Sequence, residues 1–241
     1  MRALLPLAIL GCTSATSAAG EPRVDEAPLV VELFTSQGCS SCPAADALVN
    51  KLAKAGQLGG RTVIPLSFHV DYWDDLGWPD PFASAAWTER QREYAAQLDD
   101  RIYTPELVVA GGAGMVGSQG TRVARAIAAA PAQKKLAATA TWDAKSLRVD
   151  VTAPSNADVY VAIWQDTTRT KVARGENAGE TLVSDHVVRK LVRVATKGTK
   201  AQKTIELDPT WGATGATLGA VAFAQQGDRK IVAAAALPAR R

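Results

Sequence analysis

The stretch "LFTSQGCSSCPAAD", residues 33–46, carries two of the three cysteines of the chain, Cys39 and Cys42, three positions apart. It overlaps the apolar, β-branched run "APLVVELFTS" (27–36), which predicts a buried strand. It leads into "PAADALVNKLAKAG" (43–56), where apolar residues recur every three to four positions, as in an amphipathic helix. The two cysteines therefore lie in a connection from a strand to a helix.

A C-x-x-C pair at the start of a helix has a chemical logic. The free N–H groups and dipole of the helix N-terminus stabilise a thiolate, which predicts a lowered thiol pKa for Cys39. Cys42, one turn further along, is placed to attack a mixed disulfide on Cys39 and release the product. The alternative is a permanent structural disulfide, although closing so short a loop removes little chain entropy.

The N-terminus "MRALLPLAILGCTSATSAAG" (1–20) has the pattern of an export signal. Arg2 precedes a short apolar segment and a small-residue cleavage site, so we expect residues 1–19 to be a signal peptide. The run "ILGC" offers a second possibility, a lipid anchor at Cys12. Either route predicts a periplasmic or secreted protein, a compartment in which disulfides persist. No later segment is apolar for long enough to predict a transmembrane span.

Strand and helix patterns alternate up to Pro131. After the first strand and helix they comprise a strand in "RTVIPLSFHVDYW" (61–73), a helix from an N-cap at Asp80 to about Asp99, strands in "IYTPELVVAGG" and "GMVGS", and a helix with Val123 and Ile127 on its apolar face. This order predicts a sheet whose first two strands are parallel, with helices on both faces.

Beyond Pro131 the pattern changes to about seven short runs of alternating polarity, which predicts a β-sandwich. Acidic residues are in excess in residues 21–131 and basic residues in 132–241. We therefore expect two domains, 27–131 and 136–236. The net charge of +3 is small and the basic residues form no run, so no nucleic-acid partner is expected.

Several of these motifs resemble known proteins. "VVELFTSQGCSSC" resembles the first strand and active-site turn of thioredoxin-like proteins, and "YTPELVV" resembles their cis-proline loop. Together with "FHVDYWDDLGWPDPF", "RQREYA" and "RGENAGETLVSDHVVRKL", they resemble a family of secreted bacterial proteins, domain of unknown function 1223. The resemblance implies a thioredoxin-like α/β domain with a β-rich appendage. It also implies that Thr104 and Pro105 face the cysteines, and it implies no settled activity.

Two further titratable residues are candidates for the site. His69 ends the second strand, which in a parallel sheet places it beside the cysteine turn, where it would tune the thiolate or shuttle protons. Thioredoxins carry a buried carboxylate near the position of Glu32, which implies a proton acceptor there, and a partly exposed strand residue is the alternative. Cys39, Cys42 and His69 together would also suit a copper site like that of secreted copper chaperones with thioredoxin folds.

The segment "DYWDDLGWPDPFASAAW" (71–87) concentrates five aromatic residues. They form either a local core or a wall that accepts an extended partner, for which Tyr72, Trp73 and Trp78 are the candidates. No cofactor is expected besides a redox-active Cys39–Cys42 disulfide.

These patterns favour an exported thiol–disulfide oxidoreductase that acts on thiol or disulfide proteins of the cell envelope, together with a redox partner that the sequence does not identify. The alternatives are an envelope binding module with a structural disulfide, or a metal chaperone. The second half is expected to act independently of the first. The competing possibility is that the polar loop with Arg174, Glu176, Asn177 and His186 folds back over the cysteines.

Overall fold

The computed structural model describes residues 27–211 and 216–240. The expected signal peptide (1–19) and the alternative lipid anchor at Cys12 lie outside the described residues, so both stay predictions. The described part of the chain is a mixed α/β structure rich in sheet. None of its three α-helices, of 13, 14 and 10 residues, is long and apolar enough to cross a membrane.

The first half contains every α-helix of the described residues. Its elements are β1 (Leu29–Thr35), α1 (Pro43–Ala55), β2 (Gln57–Leu58), β3 (Arg61–His69), a 3-10 turn (Asp74–Leu76), α2 (Ala85–Leu98), β4 (Glu106–Val109), β5 (Ala113–Val116) and α3 (Gly120–Ala129). The second half contains β6 (Lys134–Lys135), β7 (Ala138–Trp142), β8 (Ser146–Thr152), β9 (Asp158–Gln165), β10 (Thr168–Lys171), β11 (Thr181–Ser184), β12 (Val187–Ala195), β13 (Lys200–Glu206), β14 (Leu218–Gln225) and β15 (Ile231–Arg240).

The largest sheet has the strand order β5-β4-β1-β3-β12-β9-β14-β15-β6, and β2 pairs with the first two residues of β3. β1 and β3 are parallel along their whole length, from Leu29 opposite Val63 to Thr35 opposite His69. This confirms the predicted parallel pairing of the first two strands. β4 runs antiparallel to β1 on its other side.

Side chains of β1 alternate between two buried layers, which explains its uninterrupted apolar sequence. Leu29, Val31 and Leu33 pack with α1 and α3 on one face. Val30 and Phe34 pack with α2 on the other face. Helices therefore cover both faces of this part of the sheet, as predicted.

The second half places a three-stranded sheet, β13-β8-β7, against the large sheet. Leu147, Val149 and Val151 of β8 share one core with residues of β9, β14 and β15. Each of the seven runs predicted to be a strand overlaps a strand of the structure. These strands are β7, β8, β9, β12, β13, β14 and β15. The large sheet is continuous between the halves, because β12 pairs with β3 where Val187 lies opposite Ser67. The division into domains 27–131 and 136–236 stays a prediction.

The start of α2 differs from the predicted one. The helix begins at Ala85, and Ser84 caps it by accepting a hydrogen bond from the Ala86 N–H. The predicted cap, Asp80, lies outside the helix because its carboxylate binds the Gln37 N–H and the His69 ring instead. The end of α1 at Gly56, in a left-handed conformation (φ 64°), is as predicted.

A buried ionic network joins α2 to both halves of the large sheet. Arg90 donates through Nε to Glu32 of β1 (2.7 Å) and through Nη1 to Gln225 of β14 (3.2 Å). The Tyr94 hydroxyl donates to the other Glu32 oxygen and accepts from Gln225 Nε2 (2.8 Å). Each of these four residues is at most 4% exposed, so the guanidinium neutralises a carboxylate that water does not reach.

We expect Arg90→Met to lower the free energy of unfolding by about 3–5 kcal/mol, since it leaves the Glu32 carboxylate buried without a cation. Arg92→Met is the matched control on the same helix. Among the described residues Arg92 pairs with Glu89 alone, in an exposed position, so its loss should cost less than about 0.5 kcal/mol. Urea unfolding of the oxidised proteins measures both, and equal small losses would show that the network does not stabilise the fold.

Candidate functional site

The two predicted cysteines form a disulfide between β1 and α1, with Cα atoms 5.4 Å apart. Two turn hydrogen bonds shape this connection, from the Cys39 N–H to Ser36 O and from the Cys42 N–H to Cys39 O, both 3.2 Å. Cys42 is the N-cap of α1, so Cys39 lies three residues before the N-cap and not, as expected from the sequence, at the helix N-terminus. Pro43, which lacks an N–H, occupies the first helical position and fixes this start.

The proline loop lies close to the cysteine turn. The Thr104–Pro105 peptide bond is cis, and the Thr104 hydroxyl accepts a hydrogen bond from Trp73 Nε1 (2.8 Å). The same Trp73 side chain packs against Gly38, where an added Cβ would lie 3.2 Å from Trp73 Cβ. Trp73 therefore links the cysteine turn to the loop of Thr104 and Pro105.

His69 forms a buried ion pair at the end of β3. Its Nδ1 lies 2.7 Å from Asp80 Oδ2, and neither side chain is more than 1% exposed. Burial alone would lower the pKa of His69, but the adjacent Asp80 carboxylate outweighs burial and raises it. Burial would raise the pKa of Asp80, but His69 and the N–H groups of Gln37 and Phe82 hold it below its usual value. Both shifts in pKa favour the charged form of the residue concerned.

Asp46 lies next to this pair in the first turn of α1, and its N–H donates to Cys42 O (3.0 Å). Burial raises the pKa of the Asp46 carboxyl from 3.8 to about 6, and the charge of His69 partly offsets that rise. Three buried atoms here have no hydrogen-bond partner among the described residues: Asp46 Oδ1, His69 Nε2 and Thr35 Oγ1. The Thr35 hydroxyl is near the carboxyl, but not in good hydrogen-bonding geometry. The Asp46 carboxyl can therefore take up and release a proton close to neutral pH.

The sequence patterns did not predict Asp46 as a site residue. Its position was nevertheless a usable signal, because a residue four positions after Cys42 lies on the same face of the helix. The carboxylate that the sequence predicts for the site, Glu32, does not lie at the cysteines. As an even-numbered residue of β1, Glu32 faces α2, opposite to α1, and binds Arg90 and Tyr94. It is fully buried, so the alternative of a partly exposed strand residue is wrong.

The loop between β10 and β11, residues 172–180, covers the cysteines; we call it the cover loop. Asn177 Nδ2 donates to Gln37 O (2.9 Å) and Cys39 O (3.0 Å), and Glu176 Oε2 accepts from the Ser40 N–H (2.9 Å). Both cysteines are 0% exposed, whereas Ser40 and Ser41 between them are exposed. The competing expectation, in which this loop folds back over the cysteines, is thus what the structure has.

Not every residue of that polar segment takes part in the cover. Arg174 lies exposed in the cover loop. The hydrogen bonds described above between this loop and the cysteine turn come from Glu176 and Asn177, neither of which is a cation. His186 lies beyond β11, where its ring stacks on Trp164 (4.4 Å between centroids) and its Nδ1 binds Pro65 O (2.7 Å).

The aromatic segment divides into two groups. Trp87 is part of the core beneath α2, as in the local-core interpretation. Tyr72, Trp73 and Trp78 are half-buried, and Trp78 Nε1 donates to the Gln37 side chain (3.1 Å) beside the cysteine turn. Leu76 is 63% exposed at the tip of this segment. These residues form a partly apolar rim that reaches the cysteine turn at Gln37 and Gly38.

The family model described as "Protein of unknown function (DUF1223)" matches residues 30–225. The chain belongs to this family. No curated protein matches the chain. A similar solved structure is the crystal structure of protein AGR_C_4864 from Agrobacterium tumefaciens, with 29% identity, a TM-score of 0.66, and coverage of 88% of this chain and 95% of that one.

A second solved structure is HBP35 of Porphyromonas gingivalis, with 13% identity and a TM-score of 0.55. The match covers 88% of this chain and 74% of that one. At this identity the similarity concerns the fold alone. The comparisons thus establish the family of the chain, and the description of that family assigns no reaction to the cysteine pair.

The raised pKa of Asp46 makes stability depend on pH. As the pH rises from about 4 to about 6, the unfolded chain releases this proton before the folded chain does, so the folded state loses stability. Asp46→Asn removes the effect. At pH 8 the oxidised variant should be more stable than wild type by about 3 kcal/mol, and near pH 3 the two should be equal.

Urea unfolding at both pH values measures this difference. Asp75→Asn, at an exposed position in the same half, is the control and should change stability at neither pH. An Asp46→Asn protein that is less stable than wild type at pH 8 would contradict the assignment of a buried, reluctantly ionised carboxyl.

Proposed function

We propose that the chain is an exported thiol–disulfide oxidoreductase that acts on cell-envelope proteins through Cys39 and Cys42. The observation that carries the proposal is the setting of the disulfide. Trp73 joins the cysteine turn to the loop of Thr104 and Pro105, and the buried, protonatable Asp46 follows Cys42 by one helical turn. A disulfide that only cross-linked the fold would need neither neighbour. The parallel β1–α1–β3 unit and the β4–β5 hairpin support a thioredoxin-like arrangement for residues 27–131.

The proposed chemistry is a pair of exchange steps. A substrate thiolate attacks Cys39 Sγ, the Cys39–Cys42 bond breaks, and the Cys42 sulfur leaves with the electron pair and takes up a proton. A second substrate thiolate then attacks the substrate sulfur of the mixed disulfide, and Cys39 leaves as a thiolate. The substrate dithiol is thereby oxidised by two electrons and the protein disulfide is reduced. The same steps in reverse reduce a substrate disulfide.

The two cysteines have different surroundings, which supports the different roles proposed for them. Cys39 Sγ lies 3.3 Å from the Ser41 hydroxyl, which can donate a hydrogen bond to a thiolate. Cys42 begins α1, and Asp46 follows it by one helical turn on the same face. We therefore propose Cys39 as the nucleophile and Cys42 as the resolving thiol, with Asp46 exchanging the proton of Cys42 in place of Glu32.

A second candidate is an envelope binding module with a structural disulfide. The complete burial of both cysteines favours it, because a sealed disulfide resists exchange. The partly exposed rim of Tyr72, Trp73 and Trp78 would then bind the partner without redox chemistry. The two candidates differ in whether the cysteines ever form covalent bonds to another protein.

Trapping of mixed disulfides separates these candidates. In a bacterial periplasm, Cys42→Ser should accumulate disulfide-linked adducts with envelope proteins, because the thiol that releases them is absent. Cys39→Ser should accumulate at least about tenfold fewer, since Cys42 lies behind it at the start of α1. Non-reducing electrophoresis and mass spectrometry of the adducts measure both, with the double Cys→Ser variant as the control. Few adducts in all three variants would favour the binding module.

A further inference from the structure

The cover loop is attached to the rest of the molecule in two separate ways. At its base, β10 and β11 form a two-stranded sheet of their own. This hairpin is held to α1 by Asn50, which donates to Val183 O (2.7 Å) and accepts from the Asp185 N–H (2.8 Å). Thr170 of β10 also contacts the cysteine turn, because its hydroxyl accepts a hydrogen bond from Gln37 Nε2 (3.0 Å). Asn50 and Thr170 thus fix the base without any contribution from Glu176 or Asn177.

At its tip, the cover loop depends on two side chains and a glycine. Asn177 is 7% exposed and makes two of the three hydrogen bonds that the tip forms with the cysteine turn, while Glu176 makes the third from an exposed position. Gly175 has a positive φ of 83° and lies against Gly77 and Trp78, where an added Cβ would be 3.1 Å from Trp78 Cβ. The contacts that hold the tip are therefore different from those that hold the base.

The groups that the tip occupies are backbone groups of the cysteine turn: the carbonyls of Gln37 and Cys39 and the N–H of Ser40. An extended polypeptide offers donors and acceptors of the same kind, and it can also contact the aromatic rim at Tyr72, Trp73 and Trp78. A small thiol offers neither a replacement for these hydrogen bonds nor apolar area for the rim.

We propose that Glu176 and Asn177 are specificity-determining residues, which close the disulfide to small thiols and give way to a polypeptide substrate that binds the aromatic rim. This inference rests on the proposed exchange function and adds its substrate class, extended polypeptide thiols or disulfides. Asn177 and Glu176 position the cover and take no part in the exchange chemistry itself.

The test compares two reductants on the oxidised mature protein. Dithiothreitol is the small thiol, and a reduced, unfolded polypeptide with two cysteines is the large one. In the Glu176→Gln/Asn177→Ala variant, reduction by dithiothreitol should be about tenfold faster or more, because Asn177→Ala removes two of the hydrogen bonds that close the cover and Glu176→Gln removes the charge from the third. Reduction by the polypeptide should rise less than about threefold, since the polypeptide displaces the cover in wild type.

Glu180→Gln is the charge-matched control, an exposed residue of the same loop away from the cysteine turn, and it should leave both rates unchanged. Circular dichroism establishes that each variant is folded, and Glu176→Gln alone, at an exposed position, gives a milder version of the same comparison. An unchanged rate of reduction by dithiothreitol in the folded double variant would contradict the claim that Glu176 and Asn177 close the disulfide to small thiols. Equal acceleration with both reductants would overturn its selectivity. A polypeptide that reduces neither protein would overturn the exchange function itself, and with it the substrate class.

Discussion

The site depends on the position of β3 between two parallel neighbours. β1 pairs with β3 so that Thr35 lies opposite His69, which places the cysteine turn after β1 beside the His69–Asp80 pair. β12 pairs with β3 on its other side, at Val187 opposite Ser67, only three residues after β11 ends. The same strand therefore brings the cover loop of the second half to the cysteine turn of the first, and the buried Arg90 network joins the halves a second time through Gln225.

Burial acts on this site in two opposing ways. It raises the pKa of Asp46 to about 6, which suits a group that exchanges protons near neutral pH. It also leaves both cysteines without solvent exposure, in a turn whose backbone carbonyls accept hydrogen bonds from Asn177. A covered disulfide with a protonatable neighbour is consistent with chemistry that waits for a binding partner, and the exposed Leu76 and half-buried Trp78 beside it provide a surface for one.

Much of the fold could be predicted from local patterns, because the uninterrupted apolar run of β1 and the helical period after Pro43 each depend on near neighbours in sequence. The cysteine pair and the Thr104–Pro105 loop were recognisable for the same reason. The partners of Glu32 and Asp80 were not, since Arg90 and His69 reach them only through strand pairing and packing. The continuity of the sheet at Val187 is also long-range and was not predicted. The closure of the cover loop is long-range too, and the sequence offered it only as an alternative.

The central claim is that the Cys39–Cys42 disulfide exchanges with other thiols, and its reduction potential tests this most directly. The mature protein is equilibrated in graded glutathione buffers, with dithiothreitol buffers at the reducing end, and the reduced fraction is measured by alkylation and mass spectrometry. The account predicts a midpoint between about −270 and −120 mV, the range of exchange-active pairs of this type. A pair that stays oxidised below about −300 mV would behave as a structural disulfide and would contradict the account.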